Sequence, residues 1–315
     1  MCGILGVSNS SKAKLAKPDE AAVFCKAAMD SLETRGYQSW GVVLVEPGNA
    51  ASLSVRALGR ITSVGSFDFS AASNGISQAI CHTRIASAGA VTLDNAQPIV
   101  LGGDDGDETV MAHNGTVNRQ RLIASLTDDI VNLRGGRSSD SQAIAWFIRN
   151  AALLGAVSVS DTVYPEGYFR GRGWRVLETL SSYDSASVIW ANTLKPNEQW
   201  LARVSQSPLV IGSLAGSIVS ASTWESLDAG AVAIGHKSVH AICELSEGDV
   251  VKVVNGDISE TFSLDLPPLP PPPKRKARIV KAGEPYRTAF YDKWFDDDDA
   301  DVYGHNYGFN YGRKV

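Results

Sequence analysis

The sequence predicts an α+β fold, a layered sandwich of antiparallel sheets flanked by helices. Three observations lead there. Short β-rich runs bounded by Gly, Asn and Asp clusters recur on both sides of a central helical stretch. Two segments, one near the N-terminus and one beginning at Ser139, carry apolar residues at helical spacing. The 315 residues are 44% hydrophobic and 20% charged, an ordinary globular balance that can bury a substantial core.

Taken in chain order, Met1 to Val7 opens a first strand. Pro18 to Leu32 then sets Ala21, Phe24, Cys25, Ala28, Met29 and Leu32 on one helical stripe, with Pro18 suited to a helix start. Glu33 to Gly41 reads as a polar, glycine-bounded loop feeding a strand at Val42–Val45. Further strands are expected at Leu53–Leu58, Ala79–Thr83, Pro98–Leu101 and Thr109–His113. From Ser139 the pattern turns helical: Ser139 is an N-cap, Asp140 sits in the first turn, and Ala143, Ile144, Phe147, Ile148 and Ala151 form the stripe. A second helix is expected over Arg172–Leu180. Strands return at Ser187–Ala191, Gln199–Val204, Leu209–Ile211, Gly216–Ala221, Ala231–Ile234, Ser238–Cys243 and Val250–Val254, with a short helix near Thr223–Ala229. So even a distribution predicts one domain over 2–265.

Composition breaks at Leu266. Pro267 to Pro273 favours polyproline II, a stiff spacer, and Lys274-Arg275-Lys276 follows it. Acidic Asp296–Asp299 and Asp301 then lead into an end rich in Tyr and Phe, from Tyr303 to Gly312. Residues 266–315 therefore read as a Pro-rich linker and an acidic, aromatic tail, either flexible or partner-docking. The net charge of -5 and pI near 5.6 offer no basic surface for nucleic acid or acidic lipid. Cys2, Cys25, Cys81 and Cys243 form no CxxC pair, which argues against a metal site or a disulfide framework and fits a reducing cytoplasm. No apolar stretch approaches about 18 residues, so no membrane span is expected.

Candidate chemistry starts at Cys2. Removal of Met1 would leave one residue with both a thiol and an α-amine whose pKa of about 7.7 to 8.0 suits a base. The competing reading is a small buried hydrophobe at a strand start. Asn114 supplies a side-chain N–H and Gly115 an unshielded backbone N–H, a pair suited to an oxyanion, although Asn-Gly is also a hairpin signal. Arg84 at a strand end, with Ser87 close by, suits a carboxylate; the alternative is a surface salt bridge. Asp140 can pair with an ammonium group or simply serve its helix terminus. Together Arg84 and Asp140 would grip both ends of a free α-amino acid, leaving a side-chain amide to react.

The order Cys2-Gly3-Ile4, Arg35-Gly36, His82-Thr83-Arg84, Asn95-Ala96-Gln97-Pro98, His113-Asn114-Gly115 and Ser139-Asp140-Ser141 resembles the class II glutamine amidotransferase (glutaminase) domain of the N-terminal nucleophile (Ntn) hydrolases. The Asn-Ala-Gln-Pro and Ser-Ala-Gly pieces are more similar to the amidophosphoribosyltransferase branch than to the glucosamine-6-phosphate synthase branch. The resemblance covers Cys2 to about Ser263 and implies a four-layer αββα sandwich of two antiparallel sheets flanked by helices. It implies that Cys2 attacks the side-chain amide of L-glutamine through a glutamyl thioester, with Asn114 and Gly115 as the oxyanion hole. Arg84 and Ser87 would hold the substrate carboxylate and Asp140 its amine, while Arg35 and Gly36 would border the nucleophile. No cofactor is implied.

This sequence departs from the family pattern in places. Ile85 replaces the usual aromatic, Gln38, Ser39 and Trp40 follow Arg-Gly-x where an acidic residue, Ser and a small residue are usual, and Gln142 replaces a glutamate. The residues after Leu266 are too few and too polar for an ammonia-consuming domain. The expectation is thus a subunit delivering ammonia to a separate synthase, with the 266–315 tail as the candidate docking segment. A non-catalytic binding protein on the same fold, or an Ntn hydrolase of another amide, are the alternatives.

Overall fold

A computed structural model describes residues 2–86, 89–102, 107–117, 139–154 and 185–264, with side chains of the middle helix described through Arg149. The elements run β1 (Gly3–Asn9), α1 (Pro18–Leu32), β2 (Ser39–Val45), β3 (Leu53–Leu58), β4 (Gln78–Arg84), β5 (Ile99–Gly102), β6 (Glu108–Thr116) and α2 (Asp140–Leu154). They continue with β7 (Ser185–Asn192), β8 (Glu198–Ser205), β9 (Val210–Leu214), β10 (Ser217–Ala221), α3 (Trp224–Ala233), β11 (His240–Glu244), β12 (Asp249–Val254) and β13 (Asp257–Ser263).

Two antiparallel sheets result. One has seven strands in the order β11-β9-β10-β1-β4-β2-β3, and the other six in the order β13-β12-β8-β7-β6-β5. Strand alternation assigns each apolar residue to a layer. In β1, Ile4 joins Val43, Ile80, Val110, Ile189 and Ile218 in the cluster between the sheets. Leu5 and Val7 join Phe24, Met29 and Leu227 in the cluster under α1 and α3. On the far side, Ile144, Phe147 and Ile148 of α2 pack with Met111, Val188 and Ala202. The described residues therefore form the expected α+β four-layer αββα sandwich.

The structure corrects some sequence expectations. Ala231–Ile234 is not a strand: Ala231 to Ala233 end α3, with Val232 60% exposed and Ala231 buried. His236 N–H donates to Ala231 O at 2.9 Å and Gly235 N–H to Val232 O at 3.1 Å, with Gly235 at φ 87°. This Schellman ending explains the apolar run, which periodicity alone does not separate from a buried strand. Ser39, Trp40 and Gly41 belong to β2 rather than to a loop. Asn114 and Gly115 form no hairpin turn; they lie in β6, opposite Ser187 and Ala186 of β7. The edge strand β13 escaped notice because it is largely polar and exposed. The expected helix at 172–180 and the 266–315 tail lie outside the described residues.

Candidate active site

Cys2 immediately precedes β1, whose first residue pairs with Thr83, so Cys2 emerges beside Arg84 at the end of β4. Its Sγ donates to Ile85 O at 3.5 Å, and Arg35 Nε donates to the Cys2 carbonyl at 2.9 Å. Cys2 is 7% exposed. Burial pushes its thiol pKa up, with the Asp140 charge in the same sense and the Arg84 charge opposing. At rest the Cys2 thiol is protonated.

Arg35 is followed by Gly36 for a steric reason. A Cβ at Gly36 would sit 2.6 Å from Thr83 O and 2.7 Å from Arg84 N, so only glycine lets this segment lie against β4. Arg84 is itself buried, its guanidinium donating to Ala90 O at 3.2 Å and Gly89 O at 3.4 Å.

Asp140 opens α2. Its Oδ2 accepts from Val117 N–H at 3.0 Å and its Oδ1 from Ser141 N–H at 2.9 Å. The carboxylate is thus fixed in direction while keeping lone pairs for a further donor. Ser139 and Gln142 cap the helix reciprocally: Ser139 N–H donates to Gln142 Oε1 at 3.2 Å, and Gln142 N–H donates to Ser139 Oγ at 3.3 Å.

Gly115 adopts φ 145°, and a Cβ there would collide with Ser185 O. Asn114 is fully buried, its Nδ2 3.5 Å from Ser222 Oγ, which also accepts from Ile4 N–H at 3.1 Å. A polar network joins the two sheets to α2. His82 Nε2 donates to His113 O at 3.1 Å, His113 Nδ1 meets Ser141 Oγ at 3.1 Å, and Gln97 bridges Ser141 Oγ and His113 N–H. Burial lowers the His82 pKa to about 3, so this imidazole is neutral.

Cys2, Arg84, Ile85, Gly115 and Asp140 line one small cleft, with Gln97, His113, Ser139 and Ser141 completing its wall. The structure therefore gathers Cys2, Arg84, Gly115 and Asp140. Asn114, Arg35 and Gly36 are not among the lining residues, and Ser87 lies outside the described residues. Ser222, which precedes α3 by two residues, belongs to a run, Ile218 to Ser222, that the sequence resemblance includes but gives no role; it meets Ile4 and Asn114 through the β1–β10 pairing.

No family model matches the chain. Among curated proteins it is 28% identical over 127 residues to the glutamine–fructose-6-phosphate aminotransferase of Encephalitozoon cuniculi, covering 38% of this chain and 18% of that one. It is 32% identical over 155 residues to amidophosphoribosyltransferase 2 of Arabidopsis thaliana, covering 47% of this chain and 24% of that one. Among solved structures, the glutamine phosphoribosylpyrophosphate amidotransferase of B. subtilis superposes with a TM-score of 0.57 at 18% identity, over 83% of this chain and 49% of that one.

Parts of this chain are thus similar in sequence to a glutamine–fructose-6-phosphate aminotransferase and to an amidophosphoribosyltransferase. The chain spans a quarter or less of the length of the two curated relatives above, and its likeness to the solved structure is one of fold.

Of the residues at which this sequence departs from the pattern it resembles, Gln38, Trp40 and Gln142 each have an identified role in the packing, whereas the buried Ser39 hydroxyl finds no partner among the described residues. Gln38 Oε1 accepts from Ala86 N–H at 2.7 Å. Gln142 keeps the capping role of an acid and adds a donor bond from Nε2 to Asp94 O at 3.0 Å. Trp40 is buried under the α1 layer, 5.6 Å from Phe67. Among the described residues no helix is long and apolar enough to cross a membrane.

Proposed function

We propose that the chain hydrolyses the side-chain amide of L-glutamine with Cys2 as nucleophile, after loss of Met1, and passes the ammonia to an acceptor on a separate synthase. The carrying observation is the convergence of Cys2, Arg84, Gly115 and Asp140 on one cleft. The free α-amine of Cys2 takes the thiol proton, directly or through a water, and Sγ adds to the carboxamide carbon. Negative charge develops on the carboxamide oxygen, where Gly115 N–H and Asn114 Nδ2 are the candidate donors. Collapse of the adduct breaks the C–N bond. The leaving nitrogen accepts the proton held by the amine and departs as ammonia, leaving a glutamyl thioester. Water, deprotonated by the same amine, then releases glutamate and restores the thiol.

Specificity for a free amino acid follows from opposed charges on the cleft wall. Arg84 would bind the α-carboxylate, with Ser87 assisting, and Asp140 the α-ammonium. Arg35 and Gly36 hold the peptide around the nucleophile in register. The reading assigns catalysis to 2–265 and gives the 266–315 tail to partner docking in a reducing cytoplasm, where the free thiols of Cys2, Cys25, Cys81 and Cys243 are at home.

The test is direct. Protein with Cys2 at its N-terminus is assayed for ammonia release from glutamine, alone and with its partner, and exposed to a glutamine-analogue diazoketone. Ammonia release and labelling of Cys2 are expected. Their joint absence would exclude glutaminase chemistry.

A further inference from the structure

The short segment that begins at Arg35 brackets the nucleophile from two sides. Arg35 holds the Cys2 carbonyl at 2.9 Å. Three residues on, Gln38 N–H donates to Arg84 O at 2.9 Å, and Gln38 Oε1 accepts from Ala86 N–H at 2.7 Å. Gln38 O in turn accepts from Gly59 N–H at 2.8 Å, tying the segment to the end of β3. Between the two points that Gln38 grips lies Ile85, whose carbonyl receives the Cys2 thiol. The side chain of Gln38 thus closes a ring across Arg84, Ile85 and Ala86 that its backbone bond alone would leave open at one end.

We propose that Gln38 is a positioning residue for the nucleophile and for Arg84, acting by fixing the Ile85 carbonyl against the Cys2 thiol. The physical case rests on what each bond constrains. With only the backbone bond from Gln38 N–H, the chain after Arg84 is free to rotate away, taking the Ile85 carbonyl with it. The side-chain acceptor pins Ala86 and removes that freedom before substrate arrives, which is preorganisation rather than binding. Arg84 gains as well, because both its neighbours on the C-terminal side and its own carbonyl are held.

The consequence for the proposed glutaminase, on which the kinetic part of this inference rests, concerns substrate capture more than chemistry. Loosening residues 84–86 lets Arg84 drift from the carboxylate position, which raises KM. The same loosening uncovers the thiol, and that is visible without any substrate.

The experiment uses full-length protein with Met1 removed, in wild-type, Gln38→Met and Gln38→Glu forms. Iodoacetamide alkylation of Cys2 is followed by peptide mass spectrometry, and kcat and KM for glutamine are measured alongside. In Gln38→Met, Cys2 should alkylate about five- to tenfold faster and KM rise by a similar factor, the weight of about one hydrogen bond, with kcat within about threefold of wild type. In Gln38→Glu, whose carboxylate still accepts from Ala86 N–H, the alkylation rate should return to within about twofold of wild type.

A methionine variant with wild-type alkylation overturns the proposal, as does a glutamate variant as loose as the methionine one. Should Gln38→Met fail to fold, Gln38→Ala removes the same acceptor and is read in the same way. Wild-type protein inert towards glutamine would sink the glutaminase reading, and the alkylation comparison would still decide the role of Gln38.

Discussion

Arg35 Nε donates to the carbonyl oxygen of Cys2 at 2.9 Å, a bond that fixes the peptide joining Cys2 to β1. It places the thiol without touching it. Arg35→Gln shortens the side chain and removes this donor. We predict a fall of about ten- to a hundredfold in kcat/KM for glutamine, because small misplacements of a nucleophile are costly. Steady-state kinetics with a melting curve as control will show it; unchanged kinetics would remove Arg35 from the site.

Gly115 offers a sharper steric test. With φ at 145° and Ser185 O in the path of a Cβ, Gly115→Ala should destabilise the fold by about 3 kcal/mol or more, or abolish soluble expression. Gly102 is the internal control, since among the described residues the nearest atom to its Cβ is Glu108 Cγ at 3.9 Å and its φ is not positive. Gly102→Ala should change the urea midpoint little. Equal effects at both positions would contradict the strand geometry described for β6.

Much of this was legible before any coordinates. Alternating and helical periodicity located most strands and all of α1, and it assigned Ser139 to its cap, because burial on a sheet face or helix stripe writes itself directly into spacing. The site was legible for a different reason. Cys2, Arg84, Gly115 and Asp140 each carry a short local motif, so their convergence was inferable from motif order. What stayed hidden depends on long-range pairing or on polarity. Ser222 acts through its pairing with Ile4, 218 residues away; β13 is a polar edge; and Ala231–Ile234 is apolar in either conformation. Gln38 looked like a lost acid until its bond to Ala86 gave the amide a purpose.

The cap of α2 carries the next prediction. Ser139→Ala removes the acceptor for Gln142 N–H and should cost about 1 kcal/mol. Gln142→Glu keeps an acceptor for Ser139 N–H but loses the donor to Asp94 O, so a smaller loss is expected. Because the two side chains cap reciprocally, a double-mutant cycle by urea denaturation should show coupling rather than additivity. Strict additivity would mean that the cap is not formed in solution.

The pH dependence follows from His82. Burial depresses its pKa to about 3, against about 6.5 in the unfolded chain. Between those values the unfolded state binds a proton that the folded state refuses, so this stability is present above about pH 6.5 and is lost as pH falls. From about pH 7.5 to about pH 5 the loss should be on the order of 2 kcal/mol, before the carboxylates contribute. His82→Gln should flatten that slope in urea melts at the two pH values. A slope unchanged by the substitution would assign the acid sensitivity elsewhere.

The central claim is that Cys2, bearing a free α-amine, is the nucleophile. The most direct measurement is ammonia release from glutamine by three forms of the protein: Met1 removed, Met1 retained, and Met1 removed with Cys2→Ala. The account predicts activity in the first alone, with all three sharing one melting temperature to within a few degrees. Equal activity with Met1 retained, or activity surviving Cys2→Ala, would contradict it.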